Sequence, residues 1–193
     1  MSHIRRAGEQ THPDTKARRF VFVLLDDFTL LSFASALDCL RLANRRAGRS
    51  IYEWTLVGDG GGTVVSSTDT EIKLDGDLCE LHRDDTIVLC GGTNIQKATS
   101  KKLINWVRRE SRKGAKIAGL CTAAYVVAKA GLLDGKSATI HWENQDSFSE
   151  EFPEVELRKS VFTIDGNRMT TAGGTSSLDM FLQIIADDQG EEI

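Results

Sequence analysis

The segment RFVFVLL, residues 19–25, sets the first limit on the fold. Six consecutive apolar side chains leave no polar face, so an extended chain here has to be covered on both sides. The run is far short of the ~20 apolar residues that a membrane span needs. TIVLC (86–90) and KIAGL (116–120) repeat the pattern, and YEWTLVG (52–58) reads as a further strand. Between the strands lie segments of another period. LLSFASALDCLRLANRR (30–46) places Leu30, Phe33, Leu37 and Leu40 at helical spacing, and AGRS breaks it. KKLINWVRRESRKG (101–114) is an amphipathic helix closed by a glycine. TAAYVVAKAGLL (122–133) and ENQDSFSEEF (143–152) read as helices, and TSSLDMFLQIIADD (175–188) as a last one with Thr175 or Ser176 as N-cap. KSATIHW (136–142) reads as a short strand, and a hairpin is expected near 63–65 and 70–72. Strands that alternate with helices and are apolar throughout predict an α/β fold: a doubly wound, mainly parallel sheet with helices on both faces.

In such a sheet, ligands bind beyond the carboxyl ends of the strands. The residues there carry the functional reading. Cys121 stands where the strand KIAGL turns into a helix. This is the context of a nucleophile elbow, and a helix N-terminus at the sulfur favours thiolate. Cys121 is thus a nucleophile, a ligand sensor, or a small buried hydrophobe. Gly91 and Gly92 close TIVLC, either to let backbone N–H groups reach a bound carboxylate or as an ordinary turn. His141 reaches the sulfur if its strand ends beside that of Cys121, and is structural otherwise. Phe28 and Trp142 each follow a strand; their faces can attract an ammonium group, or they pack in the core. Thr122 adds a further N–H at the turn. The cations of the 101–113 helix are read as a solvated face.

Charge and cysteine usage exclude other classes. With 24 Lys and Arg against 28 Asp and Glu, the net charge of −4 gives no footprint for nucleic acid and no attraction to anionic lipid. The four cysteines form no C-x-x-C pair and do not cluster with the four histidines, so no metal and no cofactor is expected. Reduced thiols and a cytoplasmic location follow as the default. The polar, aperiodic residues 1–19 read as a tail, and 20–188 as one domain.

TIVLCGG, AGLCTAAYVVAKAGLLDGKSATIHW and MTTAGGTSSLDMF together resemble the ThiJ/PfpI superfamily, with its flavodoxin-like, class I glutamine-amidotransferase-like fold. The resemblance spans about residues 20–188. It is nearest the branch that forms the ligand-sensing half of GlxA-like, AraC-type transcription regulators, and FTLLSFASALDCLRLANRRAG also matches that branch. It implies a homodimer, a small nitrogenous effector bound at the strand ends, and DNA contacted only through a C-terminal helix-turn-helix domain. Residues 189–193 would then begin the linker to that domain. Two departures bear on catalysis. Many enzymes of the superfamily have histidine after the cysteine, where Thr122 stands, and a glutamate beside the sulfur, where Ser32 aligns. The resemblance therefore implies a retained pocket with incomplete hydrolytic machinery. A cysteine-dependent hydrolase, amidase or hydratase is the alternative, and a redox sensor built on Cys121 a third reading.

Overall fold

The computed structural model describes residues 17–190 and 192–193. The elements, in chain order, are β1 (Arg18–Leu24), α1 (Leu30–Ala47), β2 (Tyr52–Gly58), β3 (Thr63–Val65), β4 (Glu71–Lys73), β5 (Gly76–Asp77) and β6 (Thr86–Cys90). They continue with α2 (Ile95–Ala98), α3 (Lys101–Lys113), β7 (Lys116–Leu120), α4 (Ala124–Lys129), β8 (Ser137–Ala138) and α5 (Gln145–Glu151). The chain ends through β9 (Glu156–Leu157), β10 (Phe162–Asp165), β11 (Arg168–Thr171) and α6 (Ser176–Gln189). Most of the expected tail falls on residues 1–16, outside the described residues; β1 starts at Arg18.

Seven strands form one sheet in the order β10-β11-β7-β6-β1-β2-β5. Every pairing in it is parallel except the edge strand β10, which runs antiparallel to β11. The expected doubly wound sheet is therefore present. Alternation along β1 explains why it needs no polar face: Val21 and Val23 enter one core, Phe20, Phe22 and Leu24 the other. The first core packs against Leu103, Trp106 and Val107 of α3 and Val126 of α4. The second packs against Leu40 of α1 and Phe181 and Ile184 of α6, with Phe20 and Phe181 ring centroids 5.7 Å apart.

Helix ends follow the sequence closely. Gly48 and Gly114 take the left-handed conformation that terminates α1 and α3, and Ser100 caps α3 by accepting from Leu103 N. The α3 cations do more than face water. Arg108 donates to the carbonyls of Lys129 and Ala130 and so closes the end of α4, and Lys102 bridges Asp59 and Asp77.

Two expectations are corrected. The strand expected over 136–142 reduces to the two residues of β8, which pair with β9 in a separate small sheet. The helix expected over 122–133 is a 3-10 turn, Cys121–Ala123, followed by only the six residues of α4. Gly131 at φ +67° ends it, and the expected apolar periodicity continues as a turn packed on the core through Leu133. At α6 the N-cap is Thr175, but its side chain makes no capping bond.

Candidate functional site

The β1–α1, β6–α2 and β7–α4 connections meet at one end of the sheet. Phe28 bridges Gly92, Thr29 N donates to Gly91 O, and Thr93 N donates to Asp27 O. Gly92 permits this approach, since a side chain there would overlap the Asp27 carbonyl. Gly91 N–H donates to Leu120 O. This corrects the reading of Gly91 as a carboxylate anchor: its N–H is spent on the protein, and its lack of a side chain leaves room for Thr122 and Ala123.

Cys121 follows β7 at φ +61°, the left-handed region that a non-glycine residue enters at a cost of about 1–3 kcal/mol. Four groups hold it there. Its N–H donates to Thr171 Oγ1, its carbonyl accepts from His141 N at 3.3 Å, its sulfur lies 3.5 Å from Thr29 Oγ1, and Gly173 packs flat against it. A Cβ on Gly173 would stand 2.8 Å from the sulfur. Thr29 is the N-cap residue of α1 but makes no capping bond, because its hydroxyl is turned to Cys121.

Burial pushes the Cys121 thiol above its ordinary value; the Thr29 hydroxyl and Thr122 N–H pull it back, and the Glu143 carboxylate pushes it further up. The expectation of a thiolate favoured by a helix N-terminus is therefore corrected. Desolvation outweighs the short helical turn. Thr122 and Ser32, which stand where the resemblance sets a histidine and a glutamate in many enzymes, are engaged with backbone groups. Thr122 Oγ1 donates to Gly92 O at 2.8 Å, and Ser32 Oγ, fully buried, accepts from Gly174 N at 2.8 Å. His141 Nδ1 lies 3.8 Å from Glu143 Oε2.

A cavity of about 600 Å³ opens above this turn. Gly92, Cys121, Thr122 and His141 line it. Phe28, Ser32, Gly91 and Trp142 do not. Phe28 is buried edge-on against Phe33, with centroids 5.6 Å apart. Trp142 is 70 % exposed and leans on the His141 ring from outside. The irregular path after β8 explains this, because His141 and Trp142 do not alternate about a strand. Sequence reasoning missed Thr29, Tyr125, Glu143 and the α2 residues Gln96 and Lys97. Thr29 was findable, since it lies in the short connection from the carboxyl end of β1 to the start of α1. Tyr125 and Glu143 were masked by segments that read as plain helix. Glu151 also lines the cavity; it accepts from Tyr125 Oη and pairs with Lys129, whose ammonium sits 5.6 Å over the Tyr125 ring. Chemically the cavity offers an aromatic face, the Glu143 carboxylate, the Lys97 ammonium and a buried thiol, a set suited to a small polar molecule bearing both charges.

A model of the DJ-1/PfpI family matches residues 18–187. The chain is 37% identical over 172 residues to the HTH-type transcriptional regulator GbdR of Pseudomonas aeruginosa, covering 89% of this chain and 47% of that protein. It is 37% identical over 181 residues to the HTH-type transcriptional regulator GlxA of Rhizobium meliloti, covering 91% and 54%. The chain thus spans about half the length of these curated relatives. The crystal structure of an AraC family transcriptional regulator from Pseudomonas putida superposes with a TM-score of 0.79 at 27% identity, covering 90% of this chain and 94% of that one. Among the described residues, no helix is long and apolar enough to cross a membrane.

Proposed function

The chain belongs to the DJ-1/PfpI family, and from that premise we propose that it is the effector-binding part of an AraC-type transcription regulator. The observation that carries this reading is the setting of Cys121. Its thiol is buried and raised, and its side-chain partner is the hydroxyl of Thr29. Ser32 and Thr122 have spent their hydroxyls on backbone groups. The site keeps a shaped cavity and a strained, well-braced turn, without a carboxylate or imidazole bonded to the sulfur among the described residues. Relatives named as HTH-type regulators support the same assignment.

The effector we propose is a small amine-bearing metabolite, an amino acid or a quaternary ammonium compound. Its cation rests against Tyr125 and Glu143, and its carboxylate faces Lys97. Trp142, outside the cavity, takes no part. Binding draws together the cavity's α1 side (Thr29) and its α5 side (Glu151). A shift from mostly inactive to mostly active requires about 5.5 kcal/mol of differential affinity between the two states. In a chain of the relatives' length, a DNA-binding half reads that shift; two such chains act as a homodimer in the cytoplasm.

A thermal-shift screen of amino acids and quaternary ammonium compounds tests the reading. Ligand at a hundred times its Kd stabilises by about 2.7 kcal/mol, roughly 5–10 °C at this chain length. The shift persists in Trp142→Ala and is lost in Glu143→Ala. Stabilisation by neutral sugars or aldehydes but by no amine would refute the amine assignment. One feature favours the alternative of a cysteine-dependent hydrolase: the positive φ at Cys121, which aims a nucleophile into a cavity. Turnover of an amide or ester that vanishes in Cys121→Ala would establish that alternative.

A further inference from the structure

The Tyr125 and Glu151 end of the cavity adjoins a corner that already holds a cation. The rings of Tyr125 and Phe152 meet edge to face, with centroids 5.5 Å apart and planes at 74°. The Lys129 ammonium stands over both, 5.6 Å from one centroid and 5.7 Å from the other. It lies 2.5 Å from Glu151 Oε1, the same oxygen that accepts from Tyr125 Oη. Aromatic faces joined by a carboxylate are a means by which proteins hold the ammonium group of a ligand. Tyr125 and Glu151 line the cavity, and Lys129 does not. Its side chain is 40 % exposed and enters the corner from the solvent side.

We propose that Tyr125, Phe152 and Glu151 form a second ammonium subsite of the cavity, that Lys129 is its resident occupant, and that an effector with two cationic ends displaces it. This rests on the amine reading above and narrows it to molecules with a second positive group on an aliphatic chain. Lys129 is free to leave. An ion pair this exposed contributes little, and the ammonium regains water as it swings out. The end of α4 does not follow the side chain, because Arg108 holds the carbonyls of Lys129 and Ala130. A second carboxylate stands on the same wall. Ser147, Phe148 and Glu151 face the cavity at helical spacing along α5, and Glu143 lies in the turn that leads into it. Helical rise keeps the backbones of Glu143 and Glu151 within about 13 Å of each other. Both side chains line the cavity, so one short chain with an ammonium at each end meets both carboxylates. A cavity of about 600 Å³ has room for it. The tethered lysine competes with every ligand for the corner, and a ligand anchored at its other end competes on equal terms.

Two measurements test the subsite and the displacement separately. Lys129→Met empties the corner of its charge and keeps the length of the side chain. Ethylammonium chloride then raises the melting temperature of Lys129→Met above that in equal sodium chloride. It does not do so for the wild type, for Lys129→Arg, or for Lys129→Met combined with Glu151→Gln. Absence of this rescue overturns the subsite, whatever the effector is. Calorimetric titration then compares ligands that differ by one terminal ammonium: L-lysine with L-norleucine, and 1,5-diaminopentane with 1-aminopentane. The wild type binds the two-headed member of each pair more tightly. Lys129→Met raises that affinity about tenfold and leaves the other member within about twofold, since only the former contends with the tethered cation. Equal affinities within each pair, or a two-headed affinity that Lys129→Met leaves unchanged or lowers, overturn the displacement while the amine reading stands. Rescue of Lys129→Met with no binding of any amine by the wild type supports the subsite and overturns the amine reading, and the displacement with it.

Discussion

Replacing Gly92 by alanine is expected to damage the fold out of proportion to one methyl group. The added Cβ would overlap the Asp27 carbonyl oxygen and stand 2.8 Å from Phe28 Cα. Both neighbours are backbone, so no side chain can swing aside. The β1–α1 and β6–α2 connections must separate instead. Forced overpacking of this kind costs about 1–3 kcal/mol. Separation also loosens the Thr93 N to Asp27 O and Thr29 N to Gly91 O bonds, which contribute about 1 kcal/mol each. The sum is about 3–5 kcal/mol, or roughly 6–20 °C in melting temperature for a chain of this length. Gly76→Ala is the control, because a Cβ there meets nothing within 4 Å and its φ is not positive; its effect stays within about 0.5 kcal/mol. Calorimetry of both variants decides. A Gly92→Ala melting temperature equal to that of Gly76→Ala would refute the claim that glycine serves here for backbone approach.

Two further outcomes follow from the ionisable groups. Cys121 is alkylated by iodoacetamide more slowly than an exposed thiol at neutral pH and speeds up as pH rises; Thr29→Ala slows it further, since the Thr29 hydroxyl is what pulls the thiol back down, and faster labelling of that variant contradicts the assignment. Glu110 is fully buried; burial raises its carboxyl, but bonds from Arg109, Lys113 and Leu81 N outweigh this and hold it below the usual range. A depressed folded pKa means that its stabilisation is present above the ordinary glutamate value and is lost as pH falls through the folded one. Glu110→Gln therefore costs about 1–2 kcal/mol near neutrality, and urea titrations show the gap closing in acid; a gap that widens in acid reverses the sign of the argument.

The sheet was legible because its strands are apolar without alternation and its helices carry clear caps. RFVFVLL, TIVLC and KIAGL each became a central strand, and the glycines after α1 and α3 ended them as read. Cys121, Gly92, Thr122 and His141 converge because parallel strand ends converge, a rule of topology that needs no side-chain detail. Legibility failed where tertiary contacts override pattern. KSATIHW alternates like a strand, yet Thr139 is held by Thr170 and Ser160 and the chain then leaves the sheet, which turns Trp142 outward. Gly91 reads as an anion loop in sequence, but its N–H is claimed by Leu120 from a neighbouring strand. The Cys121 thiol was misjudged because burial is a property of the whole fold, and a helix start is visible locally.

The two sides of the cavity are attached to the protein in different ways. On the sheet side, Thr29 N–H is bonded to Gly91 O and Gly91 N–H to the last carbonyl of β7, the Thr122 hydroxyl holds Gly92 O, and Cys121 N–H is held by the Thr171 hydroxyl at the end of β11. The segment 141–151 is held by one backbone bond at His141, the buried ring of Phe148 and the grip of Tyr125 and Lys129 on Glu151. Mutational tolerance is thereby divided. Changes at 143–147 alter what the cavity selects at little cost to folding, whereas changes at the sheet ends are paid in stability before selectivity can respond. A lineage drifting from one metabolite to another has a ready path along that outer wall, with the braced cysteine turn kept as its fixed reference.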